Sequence, residues 1–179
     1  MFLYTLINVI VAIIVIIAVL ILAFRLFAWK QGNERIVMLT KRRTPFAVED
    51  LTFNQVTLVC DIPFVNKGRQ NGTIMDLYPR HLLPQEQFDN VHVESWTTDA
   101  SKNRHDGYWE AVISEARKGG TVRLRLILTS RNGNIHKDLV GFPDMSIDIV
   151  YQVVGRSDWH ITKNRIVLTA EELQQAMRQ

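Results

Sequence analysis

One short stretch of the chain gathers side chains that could bind a partner or do chemistry. Residues 104–110 read RHDGYWE and place an imidazole, two carboxylates, a guanidinium and two aromatic rings around an Asp-Gly turn signal. Tyr, Trp and Arg dominate the energetics of protein interfaces, which makes this stretch a candidate binding surface. The alternative, which we favour, is a turn followed by a strand whose aromatic rings fill the core. The candidate surface comprises Arg104, His105, Asp106, Tyr108, Trp109 and Glu110.

The other candidate catalytic groups are scattered along the chain. His92 and Glu94 share one strand face because of their i, i+2 spacing, but a zinc site needs three or four ligands. Cys60 falls at an inward position of a predicted strand, which favours a small core residue over a nucleophile. The sequence contains no phosphate-binding loop, GxGxxG, GxSxG or HExxH motif. We therefore predict a protein that is not an enzyme and binds no cofactor or metal, with an unrecognised catalytic site as the alternative.

An apolar segment near the start of the chain indicates where in the cell the rest of the protein is located. Residues 9–24 contain no charged or hydrogen-bonding side chain. A helix of about 23 residues spans roughly 34 Å, which is enough to cross a hydrocarbon core of about 30 Å. The length disfavours a buried soluble helix, and the lack of a basic start and of a small-residue cleavage site disfavours a cleaved signal peptide. We predict that residues 1–29 form an uncleaved transmembrane signal anchor.

The residues that flank this anchor predict its orientation. Six cations and one anion, Glu34, lie within residues 25–43, whereas no charged side chain precedes the apolar segment. The positive-inside rule then places the C-terminal domain of this single-pass protein in the cytoplasm. The cations at residues 41–43 either contact anionic lipid head groups or serve only to fix the orientation. The predicted membrane-interface residues are Arg25, Trp29, Lys30, Lys41, Arg42 and Arg43.

Charge is distributed unevenly along the chain. The net charge of +3 at pH 7 combines +5 in residues 1–43 with −2 in the remainder. A nucleic-acid-binding domain would carry a basic face of its own, so we expect no nucleic-acid partner. The single cysteine excludes an intramolecular disulfide framework, which agrees with a reducing compartment.

From residue 53 onward the sequence predicts a β domain. Short segments of alternating apolar and polar residues are separated by turn signals about every 8–12 residues, and no βαβ pattern interrupts them. The alternation is clearest around Val122, Leu124, Leu126 and Leu128. The predicted strands are residues 55–65, 73–78, 90–97, 108–115, 121–129, 146–154 and 159–168.

The end of the chain carries a helix signal, and the whole pattern defines a fold class. Thr169 and Glu172 form a capping box that predicts a short C-terminal helix. We predict a mainly β protein, in which a single N-terminal transmembrane helix precedes an antiparallel immunoglobulin-like β-sandwich and a short C-terminal helix. The predicted divisions are the anchor at residues 1–29, a basic juxtamembrane connector at 30–52, the sandwich at 53–168 and the helix at 169–179.

One N-terminal span, a basic connector and a small all-β domain together resemble membrane-anchored immunoglobulin-like modules. Residues 56–77, with Phe64-Val65-Asn66 at their centre, are also similar to the water-stress (late-embryogenesis-abundant) sandwich family, in which a strand ends in Asn and a second strand follows a short turn. That family has Asn-Pro-Asn at the turn, where this sequence has Asn66-Lys67-Gly68. The resemblance implies a β-sandwich and carries over no functional residue.

These observations predict a membrane-tethered binding or scaffold module whose partners are the lipid bilayer and a protein of unknown identity. The anchor would confine partners to two dimensions and so raise their effective concentration. An exported domain anchored at the cell envelope is the alternative within the same architecture.

Overall fold

The structure of the protein is a computed structural model that describes residues 2–102 and 107–178. Its first element is helix α1, Phe2–Gln31, which is long and apolar enough to cross a membrane. None of the most apolar part of α1 is buried against another described element. Its large apolar side chains are therefore exposed around the whole circumference of the helix.

Nine strands and two further helices follow α1 in the described part of the chain. The strands are β1 Ile36–Met38, β2 Ala47–Leu51, β3 Gln55–Asn66, β4 Gly72–Leu82, β5 Val91–Asp99, β6 Val112–Ser114, β7 Gly119–Ser130, β8 Met145–Val154 and β9 His160–Leu168. A 3₁₀ turn, Thr40–Arg42, lies between β1 and β2. Helix α2 is Ile135–Asp138 and helix α3 is Ala170–Ala176.

The strands form two antiparallel sheets. Sheet A has the order β1–β3–β7–β5, with β2 also paired to β3, and sheet B has the order β6–β4–β8–β9. If β6 is set aside and β1 and β2 are counted together as one first strand, the strand order matches the constant-type immunoglobulin arrangement, in which the first, second, fifth and fourth strands face the third, sixth and seventh. The segment between β5 and β7, which contains β6, is an insertion into that arrangement. The predicted fold class, a β-sandwich with an N-terminal apolar helix and a short C-terminal helix, is confirmed.

The core lies between the two sheets and is filled by the inward residues of the alternating strands. In β3 and β7 these residues lie opposite each other, as Leu58 does to Leu126 and Val56 to Leu128. All four are fully buried, and Ile149 of β8 is fully buried on the facing sheet. Each such side chain stabilises the fold by about 1.5–3 kcal/mol relative to exposure. The alternation of residues in β7 predicts an inward apolar face, and this face is the one that forms the core.

Most of the predicted connector, residues 30–52, belongs to the sandwich. β1 pairs with the end of β3 and β2 with its beginning, so the two short strands follow each other along one edge. The backbone amides of Leu39 and Thr44 donate to the carbonyls of Pro63 and Asp61 between these two pairings. The linker between α1 and the first strand is therefore only residues 32–35, much shorter than the predicted connector of residues 30–52.

Local turn and strand predictions differ from the structure at two places. The turn signals in residues 66–72 predict a hairpin, but β3 and β4 belong to different sheets, so this loop crosses between them. Residues 108–115 predict one strand, but β6 contains only its last part. Trp109 enters the core from the loop before β6, which prevents the preceding residues from continuing the strand.

Helix α3 closes the sandwich at the end away from α1. Thr169 accepts a hydrogen bond of 3.1 Å from the backbone amide of Glu172, as the capping box predicts, and Leu173 is buried. The Glu172 carboxylate also accepts two hydrogen bonds of 2.7 Å from Arg43 and one of 2.9 Å from the amide of Phe46. One carboxylate thus joins the C-terminal helix to the segment that precedes β2.

The surroundings of Glu172 make this contact sensitive to pH. Burial alone would raise the pKa of Glu172, but hydrogen bonds from Arg43 and Phe46 outweigh burial and hold the pKa below its usual value. The folded protein therefore binds a proton at Glu172 more weakly than the unfolded chain does. The resulting stabilisation is complete above the ordinary glutamate pKa of about 4.3 and is lost as the pH falls through the lower folded value.

Replacing Glu172 by Gln is expected to lower the free energy of unfolding by about 2 kcal/mol at neutral pH, because a hydrogen bond to a charged group contributes about 1.5–3 kcal/mol. The loss should shrink at about pH 3, where the unsubstituted protein begins to protonate the same carboxylate. Urea unfolding of the full chain in detergent, followed by Trp fluorescence, measures both values. Glu171→Gln, at the exposed neighbouring position, is the control. An equal loss at both pH values would contradict a charged contact.

Candidate functional site

The end of α1 is bound directly to the sandwich. Gly32 ends the helix with a φ of +69°, a left-handed conformation that glycine adopts without strain. The guanidinium of Arg69 donates to the carbonyl of Lys30 at 3.1 Å, and that of Arg156 donates to the side-chain oxygen of Gln31 at 2.7 Å. Loops from both sheets therefore hold the last turn of α1.

Glu34 lies at the centre of this junction and is buried. Its carboxylate accepts hydrogen bonds from the backbone amides of Arg156 at 3.0 Å and Ser157 at 3.2 Å, and from the Ser157 hydroxyl. A Cβ atom at position 155 would lie 2.4 Å from the carboxyl carbon of Glu34, so Gly155 is what permits this close approach. Burial alone would raise the pKa of Glu34, but the Ser157 and Arg156 donors outweigh it and lower the pKa. The junction therefore holds an ionised carboxylate at neutral pH.

Asn66 binds the linker on the side of sheet A and is fully buried. Its Oδ1 accepts hydrogen bonds from the amides of Arg35 at 3.0 Å and Gly68 at 2.9 Å. Its Nδ2 donates to the carbonyls of Gln70 at 2.8 Å and Ser114 at 3.0 Å. One side chain thus fixes the linker, the β3–β4 loop and β6, with all four of its hydrogen-bonding positions filled.

The predicted membrane-interface residues divide into two sets. Arg25, Trp29 and Lys30 lie in the last two turns of α1 and are exposed, in the position that the prediction requires. Lys41 and Arg42 are also exposed, but they lie in the 3₁₀ turn on the edge of sheet A. Whether either set touches lipid remains a prediction.

Arg43 faces the C-terminal helix. Its guanidinium binds the carboxylate of Glu172 and donates to the carbonyl of Val167 at 3.1 Å, and it lies 5.1 Å from the centre of the Phe46 ring. It sits level with Asp61, five residues along β3 from the junction, which is about 17 Å at roughly 3.3 Å per residue. Arg43 therefore joins two parts of the sandwich, and its membrane-interface role stays a prediction.

The candidate surface at residues 104–110 is divided by the structure. Residues 104–106, which include Arg104, His105 and Asp106, lie outside the described residues. Trp109 is buried, and its Nε1 donates to the carbonyl of Ile74 at 3.2 Å. Tyr108 is 61% exposed, and Glu110 forms an ion pair with Lys102. Trp109 thus takes the structural role that we favoured, whereas Tyr108 and Glu110 lie at the surface.

A cleft of about 500 Å³ opens between the β5–β7 insertion and the start of β7. Phe64 forms part of its wall, together with polar residues that are bound to one another. The carboxylate of Asp99 accepts hydrogen bonds from the amide and the hydroxyl of Ser101, and Glu115 lies 2.7 Å from Lys118. The polar side chains of this cleft are thus engaged with one another.

The other candidate groups lie where the sequence predicts. His92 and Glu94 are exposed side by side on the outward face of β5, with 3.6 Å between the imidazole and the carboxylate. Cys60 is buried, and burial raises the pKa of its thiol to about 11, so the thiol is protonated at neutral pH and is a poor nucleophile. Among the residues that the structure describes, no three His, Cys, Asp or Glu side chains come together as metal ligands would.

The outward face of sheet A is built from matched opposite charges. Arg123 binds Asp61 through two hydrogen bonds of 2.8 Å, and the guanidinium of Arg123 holds the pKa of that carboxyl below its usual value. Arg125 binds Glu49 through hydrogen bonds of 2.6 and 2.7 Å and is itself buried. Because each cation lies on a carboxylate, this face offers a partner little net charge.

The outward face of sheet B has a different composition, and we call its nine central residues the sheet B face. The register of β4, β8 and β9 sets them in three cross-strand rows. The rows are Met75–Gln152–Ile161, Tyr78–Val150–Lys163 and Arg80–Asp148–Arg165. Tyr78 is 53% exposed and Ile161 is 64% exposed, so an aromatic ring and an aliphatic side chain both reach solvent.

The sheet B face carries three cations and one carboxylate. Asp148 is buried, Arg165 binds it at 2.7 Å, and Lys163 lies 3.6 Å away. The Arg165 guanidinium is the main reason that the pKa of Asp148 lies below its usual value. Arg80 is opposite Asp148 on the third strand and is exposed. The face therefore combines exposed apolar groups with an excess of positive charge.

Sequence reasoning did not find Glu34, Asn66 or the sheet B face. Glu34 is the one anion among the cations that follow the apolar segment, and this isolation is the signal that could have marked it. Asn66 at the end of a strand reads as an ordinary turn residue. The sheet B face is hidden because β4 contains a bulge between Met75 and Tyr78, with Asp76 at a φ of +47°, which breaks the period of two.

Comparison with known proteins adds similarity of fold only. No protein-family model matches the chain, and no curated protein matches it. A crystal structure of the yeast GGA1 GAE domain shares 8% identity at a TM-score of 0.36 and covers 75% of this chain and 98% of its own. The GAE domain of GGA2p from Saccharomyces cerevisiae shares 10% identity at a TM-score of 0.32, covering 70% of this chain and 98% of its own. A protein from Archaeoglobus fulgidus shares 10% identity at a TM-score of 0.33, and the match covers 76% of this chain and 96% of its own. Similarity at this level carries no argument about function.

Trp109→Ala is expected to lower the free energy of unfolding by about 3–5 kcal/mol, because it empties a buried aromatic site. Tyr108→Ala, at the exposed neighbouring position, should change it by less than about 1 kcal/mol. Urea unfolding of the full chain in detergent compares the two variants. Similar effects of both substitutions would contradict the separation into a core residue and a surface residue.

Glu34→Ala is expected to speed amide hydrogen exchange at residues 155–158 by about tenfold or more, because the amides of Arg156 and Ser157 lose their acceptor and a hydrogen bond to a charged group contributes about 1.5–3 kcal/mol. Mass spectrometry of the full chain in detergent measures this exchange. Glu115→Ala removes an exposed carboxylate at the same end of the sandwich and should leave residues 155–158 unchanged. Unchanged exchange in the Glu34 variant would show that this carboxylate does not hold the junction.

Proposed function

We propose that this protein is a single-pass membrane protein whose β-sandwich is a non-enzymatic binding module held in a fixed position at the membrane surface. The observation that carries the proposal is helix α1, which has 30 residues and exposes apolar side chains around its circumference. Soluble folded proteins rarely expose a contiguous apolar surface of this extent to water. A helix satisfies its own backbone hydrogen bonds, so lipid is the solvent that suits it.

The junction supports a fixed position rather than a loose tether. The linker is residues 32–35, and Glu34 and Asn66 bind it to loops of both sheets. A domain on a flexible linker would sample many orientations, whereas a linker bound at both sides presents the same faces to the membrane at all times. A partner in the same membrane would then meet a defined surface at a raised effective concentration.

The charges around α1 support a cytoplasmic sandwich. Six cations and one anion follow the apolar segment within residues 25–43, and the single cysteine suits a reducing compartment. The anion, Glu34, is bound inside the junction, so the cations form the outer charge of this region.

The sheet B face is the surface that we propose for the protein partner. Tyr and Arg are residue types that dominate binding energy at interfaces, and here Tyr78 is exposed beside Arg80 and Lys163. The excess of positive charge selects a partner surface that presents acidic side chains beside apolar ones. Sheet A offers no such excess, because its cations lie on carboxylates.

The test places a photo-crosslinking phenylalanine derivative at Tyr78 in the full chain, with the same group at His92 on sheet A as the control. Cells are irradiated, treated with protease from outside, and their membranes are extracted with alkaline carbonate. We expect the chain to remain in the membrane pellet with its sandwich uncut, and a crosslinked adduct at position 78 but not at 92. The double substitution Arg80→Glu and Lys163→Glu should reduce the adduct by about fivefold or more, since the charge complementarity is reversed.

Each part of the proposal has an outcome that would overturn it. Release of the chain by carbonate would exclude the membrane anchor. Cleavage of the sandwich by external protease would show that it lies outside the cell. Equal adducts at positions 78 and 92, or an adduct unaffected by the charge reversal, would exclude the sheet B face as the binding surface.

A further inference from the structure

One end of the sandwich is formed by loops that are far apart in the sequence. The strand register brings the β3–β4 loop, the turn before β7 and the β8–β9 loop together at the end where the linker enters. The amide of Asn66 donates to the carbonyl of Lys118 at 2.8 Å, which joins two of these loops directly. Glu34 binds the third through Arg156 and Ser157. We call this end of the sandwich the rim.

The rim carries a marked excess of positive charge. Among the described residues, the linker and these three loops of the rim carry six exposed cations, against two exposed carboxylates, Glu115 and Asp158. Glu115 is already paired with Lys118 at 2.7 Å. The cations are Arg35, Lys67, Arg69, Arg117, Lys118 and Arg156.

The opposite end of the sandwich has the reverse charge. In the described chain it exposes three cations and five carboxylates. The cations are Arg131, Lys137 and Arg178, and the carboxylates are Asp50, Glu86, Asp89, Asp144 and Glu171. The domain is therefore electrically polarised from one end to the other, although its net charge is close to zero.

The positive end is also the end next to α1. Arg69 and Arg156 donate to Lys30 and Gln31 in the last turn of the helix, so the rim begins where the apolar segment ends. Trp159 lies in the β8–β9 loop of the rim and is 63% exposed. Exposed Trp beside cations is the composition of protein surfaces at the level of lipid head groups.

We propose that the rim binds the head groups of anionic phospholipids in the leaflet where α1 ends. This inference rests on the proposed function, because it requires α1 to lie in the bilayer. The cations reach the head groups from four separate segments, so the attraction depends on the folded sandwich and not on a basic run in the sequence.

The test uses the full chain in lipid nanodiscs, either of phosphatidylcholine alone or with about a third of phosphatidylserine. Amide hydrogen exchange of residues 67–71, 115–118 and 155–159 is followed by mass spectrometry. We expect exchange in these loops to be about fivefold slower in the anionic discs. Raising the salt to about 1 M should remove the difference, because the Debye length falls to about 3 Å.

Two variants with the same change of charge separate the rim from general electrostatics. Lys67→Gln/Arg117→Gln/Lys118→Gln removes three exposed rim cations and leaves Arg69 and Arg156 on the helix. Arg131→Gln/Lys137→Gln/Arg178→Gln removes the three cations of the far end. The first variant should lose the slowing in anionic discs, and the second should keep it.

Three results would overturn the inference. These are equal exchange in the two kinds of disc, an equal response of the two variants, and slowing by inorganic phosphate in neutral discs that matches the effect of phosphatidylserine. The last result would indicate a site for free phosphate instead of lipid. Failure of the chain to enter nanodiscs would overturn the proposed function itself, whereas normal entry without lipid dependence would overturn only the rim.

Discussion

The burial of the Glu34 carboxylate is the constraint on which the arrangement of helix and sandwich depends. A carboxylate can be buried only if hydrogen bonds replace its lost hydration, and here the amides of Arg156 and Ser157 supply them. Those donors belong to sheet B, while Asn66 of sheet A binds the next residue of the linker. The linker is therefore held between the sheets, and the helix end cannot turn without breaking contacts to both.

The fixed junction determines which surfaces of the sandwich are available and for what. One end lies against the end of α1, and α3 closes the other end through the contact of Arg43 with Glu172. The outward face of sheet A is neutralised by its own ion pairs. The sheet B face keeps exposed apolar groups and cations. Because the domain cannot rotate freely about the end of α1, the sheet B face and the end next to α1 are separate surfaces that can each bind a partner at the same time.

The parts of the fold that can be predicted from the sequence are those that depend on residues close together in the chain. The apolar helix, the alternation around Leu124 and the cap at Thr169 are local patterns, and each is present in the structure. The short edge strands β1 and β2 have too few residues for a periodic signal, so the sequence alone predicts a connector there. The partners of Glu34 are more than a hundred residues away, and no local pattern encodes such a contact.

The positions of the charged residues in the fold matter more for binding than their net sum. The region after residue 43 has a net charge of −2, which indicates a nearly neutral domain when only the sequence is counted. In the fold, Lys67, Arg117 and Arg156 lie at one end of the sandwich. Carboxylates such as Asp144 and Glu171 lie at the other end. The potential at a surface depends on charges within about 8–10 Å, the screening length in physiological salt. Under the proposed function, a membrane meets the charge of the rim and not the average charge of the chain, which net charge alone does not reveal.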